Sequence, residues 1–253
     1  MPGIPRDVTL KVERAREHLN SVRDEVSRLL RGLGEHGVIR ETDLGTGHWV
    51  WKLNADPATT QRVSVLAGDF VHNLRAALDY LVWELSTKTQ QRHPLPEFPI
   101  YQKPGPGGDG FHGSGIGKIR TLPEPAKVLI ERLQPYQGGN EALRDIQTLD
   151  NIDKHRRLAV IPYGIVRSSV SGQFTLHGGS MLNFMSGRFQ DGHVLMVANG
   201  INPLEEVEKV KFDVTFQIEL EEDGVSGEIV GKLSPLYEFV CDRVLPEFEP
   251  LFS

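Results

Sequence analysis

The chain has 253 residues, of which 39% are hydrophobic and 25% charged, enough apolar material for one large domain or two modest ones. A net charge of -6 argues against a broad surface for nucleic acid or anionic membrane, since such surfaces carry an excess of Lys and Arg. The single cysteine, Cys241, excludes an intramolecular disulfide and a cysteine-based metal cluster, and no stretch reaches the ~20 apolar residues of a membrane span or resembles a signal peptide. The expectation is a cytoplasmic protein that makes no use of a membrane.

From Val8, the residues Val12, Ala15, Leu19, Val22, Val26, Leu29 and Leu33 follow at alternating spacings of four and three. That is a heptad seam on one long helix, which Gly32 and Gly34 should end. Its partner can be another helix of the chain or a second copy, so a homo-oligomer through helices is one expectation. The segment from 36 to 54 switches to β-type residues around "GTG" and reads as a hairpin. Asp56 and Pro57 then open a second long helix, running to about Glu84. Its face of Leu66, Phe70, Leu74, Ala77, Leu78, Leu81 and Leu85 is apolar, while His72, Arg75, Asp79 and Trp83 share the opposite one. Arg75 and Asp79 are spaced for a surface ion pair on a solvated face. Trp83 at the end of that polar stripe points instead to partial burial or a ligand surface.

"KPGPGGDGFHGSGIGK" reads as a loop. Gly108, Gly110 and Gly113 have GxGxxG spacing but lack the strand before and the helix after that a dinucleotide site requires. Lys118 is not a P-loop lysine, because His112 and Ile119 occupy the flanking motif positions. "EPAKVLIERLQPY" is a short helix stopped before Pro135. Asn140 should cap a further helix whose buried stripe is Leu143, Ile146, Leu149 and Ile152. The other face of this helix carries Arg144, Gln147, Asn151 and His155, a group able to hold an anion and move a proton. The same stretch, "LDNIDKHRRL", has a structural explanation too: cations favour a helix C-terminus, and Asp150 and Asp153 can pair locally with Lys154 and Arg156 or Arg157. Metal ligation has no motif to support it, and no cofactor is expected. Beyond residue 158 the period becomes two in "LAVIPYGIV", "QFTLH", "HVLMVA" and the run Phe212, Val214, Phe216, Ile218, Leu220. Asp191-Gly192 marks a hairpin turn, and a last helix should begin at Ser234-Pro235. The fold expected is α+β: a helical region at 1–157 with its hairpin, then antiparallel β structure with a terminal helix at 158–253, packed as one unit.

In order, "GDFVHNLRAALDYLVWEL", "FPIY", "LQPY" and "LDNIDKHRRL" resemble the motifs of a bacterial family common in actinobacteria, a resemblance that covers most of the chain and supplies no activity. More remotely, the helical half resembles HEPN domains, helical modules that often dimerise and whose active members cleave RNA through an Arg-Asn-x-x-x-His motif. Asn151 and His155 match that motif, and Asp150 stands where it has its arginine, leaving Arg144 or Arg156 as substitutes. Two functions follow. One is a non-catalytic binding or interaction module that presents His72, Arg75, Asp79, Trp83, Asp153 and Arg156 to a ligand or protein partner. The other is an unusual metal-independent RNase, with RNA as substrate and with His155, Asn151 and Arg144 catalytic.

Overall fold

A computed structural model describes residues 3–54, 57–86, 96–106, 113–138, 140–167, 181–184, 187–188, 192–199 and 213–252. The fold is α+β. Helix α1 (Arg6–His36) buries the whole heptad seam from Val8 to Leu33. It runs through Gly32 and Gly34: the seam residues Leu29 and Leu33 are buried on either side of Gly32, and packing outweighs the ~1 kcal/mol that a helical glycine costs. Strands β1 (Val38–Thr42) and β2 (Trp49–Leu53) form the expected hairpin. Asp43 organises its turn by accepting from the backbone N–H of Gly45 at 2.8 Å and Thr46 at 3.2 Å, while Gly47 takes a φ of +70°.

Helix α2 (Pro57–Leu85) is buried on more than its expected face, since Val63, Val71 and Val82 are as enclosed as Phe70, Leu74 and Leu78. Part of the glycine-rich segment is helical, contrary to its reading as a loop: α3 spans Gly113–Ile119 and is anchored by buried Ile119 and by Lys118, 2.9 Å from Glu97. Gly108, Gly110 and His112 lie outside the described residues, as do the Asp56 cap, "QFTLH", Asp191 and Phe212. Helix α4 (Glu124–Arg132) precedes α5 (Glu141–Asp153). Asn140 occupies the cap position of α5 without capping it. Its amide donates backwards, at 3.1 Å to the Arg132 carbonyl, tying the α4 end to the α5 start. In the buried stripe of α5 the place expected for Ile152 is taken by Asp150, only 1% exposed, while Ile152 is half-buried.

The strands form two antiparallel sheets. One has the order β1-β2-β6-β4, with β4 at Met181–Phe184 and β6 at Val194–Asn199. The other has the order β5-β3-β7-β8, with β3 at Val160–Arg167, β5 at Gly187–Arg188, β7 at Asp213–Glu222 and β8 at Val225–Glu228. Along β7, Phe216, Ile218 and Leu220 are buried and alternate with exposed Thr215 and Gln217 and half-buried Glu219, the period-two pattern of a strand with one face in a core. The terminal helix starts earlier than Ser234-Pro235. Glu228 caps it by accepting from the Val230 and Gly231 N–H groups, and helical structure continues from Ile229 through Phe252. Pro235 lies inside α6 (Ile229–Glu238), in its first two turns. A π-helical stretch at Phe239–Val244 leads into α7 (Leu245–Phe248), where Pro246 cannot donate a backbone hydrogen bond.

The chain groups into two compact units interleaved in sequence rather than divided at residue 157. One comprises 1–22, 64–158 and 222–253, the other 23–63 and 159–221. The C-terminal helix therefore belongs with the helical segments, and the β1-β2 hairpin with the strands of the second half.

Candidate functional site

The polar stripe of α2 separates into three environments, all within the first unit. At its middle, Arg75 is buried, 4% exposed, rather than solvated. Its Nε donates to Gln147 Oε1 at 3.1 Å, one terminal nitrogen donates to Asp79 Oδ1, and the other reaches both Glu97 Oε1 at 2.7 Å and the Phe98 carbonyl at 2.9 Å. The same Asp79 oxygen accepts from the Phe98 backbone N–H at 2.9 Å. One arginine and one aspartate a helical turn apart thus grip both backbone groups of Phe98, as a neighbouring strand would. Burial pushes the Asp79 carboxyl above its usual range, and the nearby Arg75 cation opposes that rise. Gln134, fully buried, holds the next part of the same extended segment: its amide nitrogen donates to the Pro99 carbonyl at 2.8 Å, and its oxygen accepts from the Tyr101 N–H at 2.9 Å. The motifs "HNLRAALD", "FPIY" and "LQPY" are therefore joined by structural hydrogen bonds.

One turn earlier, exposed His72 places Nδ1 3.1 Å from Asp150 Oδ1 on α5. A carboxylate only accepts, so Nδ1 carries the proton. Lys154 Nζ stands 2.6 Å from Asp150 Oδ2, in charge contact but off the hydrogen-bonding direction, and that oxygen has no hydrogen-bond donor among the described residues. Asp153, the last residue of α5, stands near this group. Its carboxylate covers Gly68 of α2 so closely that a Cβ at Gly68 would stand 2.1 Å from Oδ1. Desolvation raises the Asp153 carboxyl, with further contributions from Asp69 and Asp150, while His72 pulls it down. These groups do not make a metal site: among the described residues, no three His, Cys, Asp or Glu side chains are placed to hold an ion.

Among the described residues, no hydrogen bond or ion pair joins His155, Asn151 and Arg144, the residues of the RNase reading. Helix α5 ends at Asp153, so His155 lies exposed in the turn that follows, its backbone N–H bonded to the Ile152 carbonyl at 3.0 Å. The Asn151 amide oxygen accepts from Gln147 at 2.9 Å. Arg144 is held by Asp145 at 2.9 Å and approaches Glu141 at 3.7 Å. Arg156 makes a two-pronged pair with buried Glu222, at 3.0 and 2.7 Å, not with a local aspartate. Of the expected local pairs, Asp150 with Lys154 is present.

At the C-terminal end of the stripe the surface opens. Tyr80 is 40% exposed and Trp83 37%; with Asp79 and Glu84 of α2, Asp7 of α1 and Pro96 they line a cavity of about 390 Å³. Sequence reading singled out Trp83 and Asp79 but missed Tyr80, Asp7 and Glu84, because nothing in the spacing of α1 and α2 shows which of their exposed residues face one hollow. It also missed Asp150 as the partner of His72, although its spacing from Leu143 and Ile146 puts it on the buried face. Compared with known proteins, the chain matches no family model, no curated protein and no solved structure.

Proposed function

We propose that this is a non-catalytic binding module of the cytoplasm, and that its ligand site is the cavity at the end of the α2 stripe. The observation that carries the reading is how that stripe is used. Arg75, Asp79 and Asp150 are committed to holding the fold, and what α2 turns outward over a concave surface is Tyr80 and Trp83. Sites of this kind combine apolar walls with a few polar groups that orient the ligand.

The HEPN-like RNase is the weaker alternative. Cleavage of a phosphodiester needs a cation where negative charge develops. The motif position for that cation is Asp150, and both substitute arginines are neutralised by carboxylates. The heptad seam of α1 is covered by the chain itself, so a homodimer would have to use another surface. The test is incubation of the purified protein with single-stranded RNA in EDTA. No cleavage is expected, and His155→Ala should behave as the wild type. Cleavage that disappears in His155→Ala would overturn the non-catalytic reading.

A further inference from the structure

The walls of the cavity at Trp83 favour one sign of charge. Of the described residues that line it, three are carboxylates, Asp7, Asp79 and Glu84, and none is a cation. Among the described residues neither Asp7 nor Glu84 has an ion-pair partner, while both donors to Asp79 converge on Oδ1. Tyr80, Trp83 and Glu84 lie on adjacent turns of α2, so two aromatic rings and a carboxylate are presented together. Aromatic faces carry the negative end of a quadrupole and attract cations, and carboxylates accept N–H bonds. The chain itself supplies an example of this chemistry on one of these rings, from a residue outside the cavity lining: Lys11 Nζ stands 5.6 Å from the centre of the Tyr80 ring. An anionic or purely apolar ligand would cover the exposed carboxylates of Asp7 and Glu84 and supply no cation or N–H donor in return. A divalent metal would need a cluster of ligands that the described residues do not form.

We infer that this cavity binds a small organic cation, an amine or alkylated ammonium compound whose charged nitrogen sits between the Tyr80 and Trp83 rings and the carboxylates of Asp7 and Glu84. The inference rests on the reading of the cavity as a binding site and names the class of ligand. A volume of about 390 Å³ is of the size that small-molecule ligands occupy, roughly 300–1,000 Å³, and too small to enclose a folded partner. Asp7 also lies in the first turn of α1, where a carboxylate stabilises the helix, so the informative substitutions are on α2.

The experiment is titration calorimetry of the full chain with spermidine and with choline, at about 150 mM salt so that diffuse attraction to an acidic protein is screened. Saturable binding of at least one of them, at one site per chain, is expected. Trp83→Ala, which removes no charge, and Glu84→Gln should each weaken that binding about tenfold or more with the thermal transition unchanged. Binding undiminished in Trp83→Ala, or no saturable binding of either compound at millimolar concentration, would overturn the inference. The RNA assay is independent of it: a protein that ignores both amines and leaves RNA intact loses the ligand class and keeps the non-catalytic reading.

Discussion

Arg75 donates to four acceptors while almost fully enclosed, so its removal strands groups that the fold has taken out of water. One circumstance moderates the loss. Asp79 and Glu97 keep side-chain exposures of 31% and 41%, which lets water replace part of what the guanidinium provided. Removing one partner of a fully buried pair costs 3–5 kcal/mol, so Arg75→Met should cost about 3 kcal/mol in urea unfolding. Arg75→Lys restores the charge without the fork of donors and should recover only part of it. A loss below about 1 kcal/mol for Arg75→Met would mean the grip on Phe98 is no stronger than a surface ion pair. Asp153 behaves in the opposite way. Its carboxyl is raised above the ordinary 3.8, chiefly by desolvation and then by Asp69 and Asp150. Between 3.8 and that raised value the folded protein holds more proton than the unfolded one, so stability falls as pH rises through this window and stays reduced above it. The isosteric Asp153→Asn should therefore stabilise the protein at pH 7, by about 0.5 kcal/mol given partial exposure and its place at a helix C-terminus. The gain should vanish below about pH 4, where the wild-type carboxyl is itself protonated. Melting curves across pH 3 to 8 check this, and a variant less stable than wild type at pH 7 would refute it.

Between elements, the approach of α2 to α5 depends on a residue with no side chain. Gly68 leaves room for the Asp153 carboxylate, all three of whose terminal atoms would stand within 2.6 Å of an added Cβ. Gly68→Ala gains about 1 kcal/mol of helix propensity and forces that carboxylate to rotate away, so the single substitution should be near neutral or destabilising. Combined with Asp153→Ala it should become stabilising, with a coupling of about 1 kcal/mol in the double-mutant cycle. Additive effects would mean the two helices are free to adjust. Much at this scale was legible in the sequence. The α1 seam, the hairpin, the length of α2 and the period of β7 all follow from apolar spacing, because burial of one face leaves a regular record. What spacing does not record is a polar residue taking a core place. Asp150 occupies a buried position of α5 and Arg75 one of α2, where the sequence suggests a local ion pair at the helix end and a solvated face. Helix α3 was missed for the converse reason: glycine predicts a loop locally, and the buried Ile119 and the Lys118 pair with Glu97 that hold it helical are tertiary contacts. The candidate site was half legible. Trp83 stood out by its chemistry, but that Asp7 and Glu84 meet across a hollow depends on how two helices pack.

At the scale of the whole molecule, the order of segments in space differs from their order in the chain. The unit containing the cavity is assembled from 1–22, 64–158 and 222–253, and the other unit from 23–63 and 159–221. A chain divided at residue 157 therefore leaves neither unit whole. The fragment 1–157 lacks the terminal helix, whose Ile229, Leu233, Val240, Val244 and Phe248 are fully buried. Burying one such side chain contributes roughly 1.5–3 kcal/mol, so losing five of them removes about as much as the 5–15 kcal/mol by which a typical domain is stable. The fragment 158–253 keeps β3 and β7 but loses β1 and β2, and with them the partner that β6 pairs with from Trp49 to Lys52. Produced separately, each fragment should show no cooperative thermal transition by circular dichroism, and mixing the two should restore one if they associate through the interleaved segments. A fragment 1–157 that melts cooperatively alone would mean the helical segments form a self-sufficient core, and that the terminal helix packs onto a fold already complete without it.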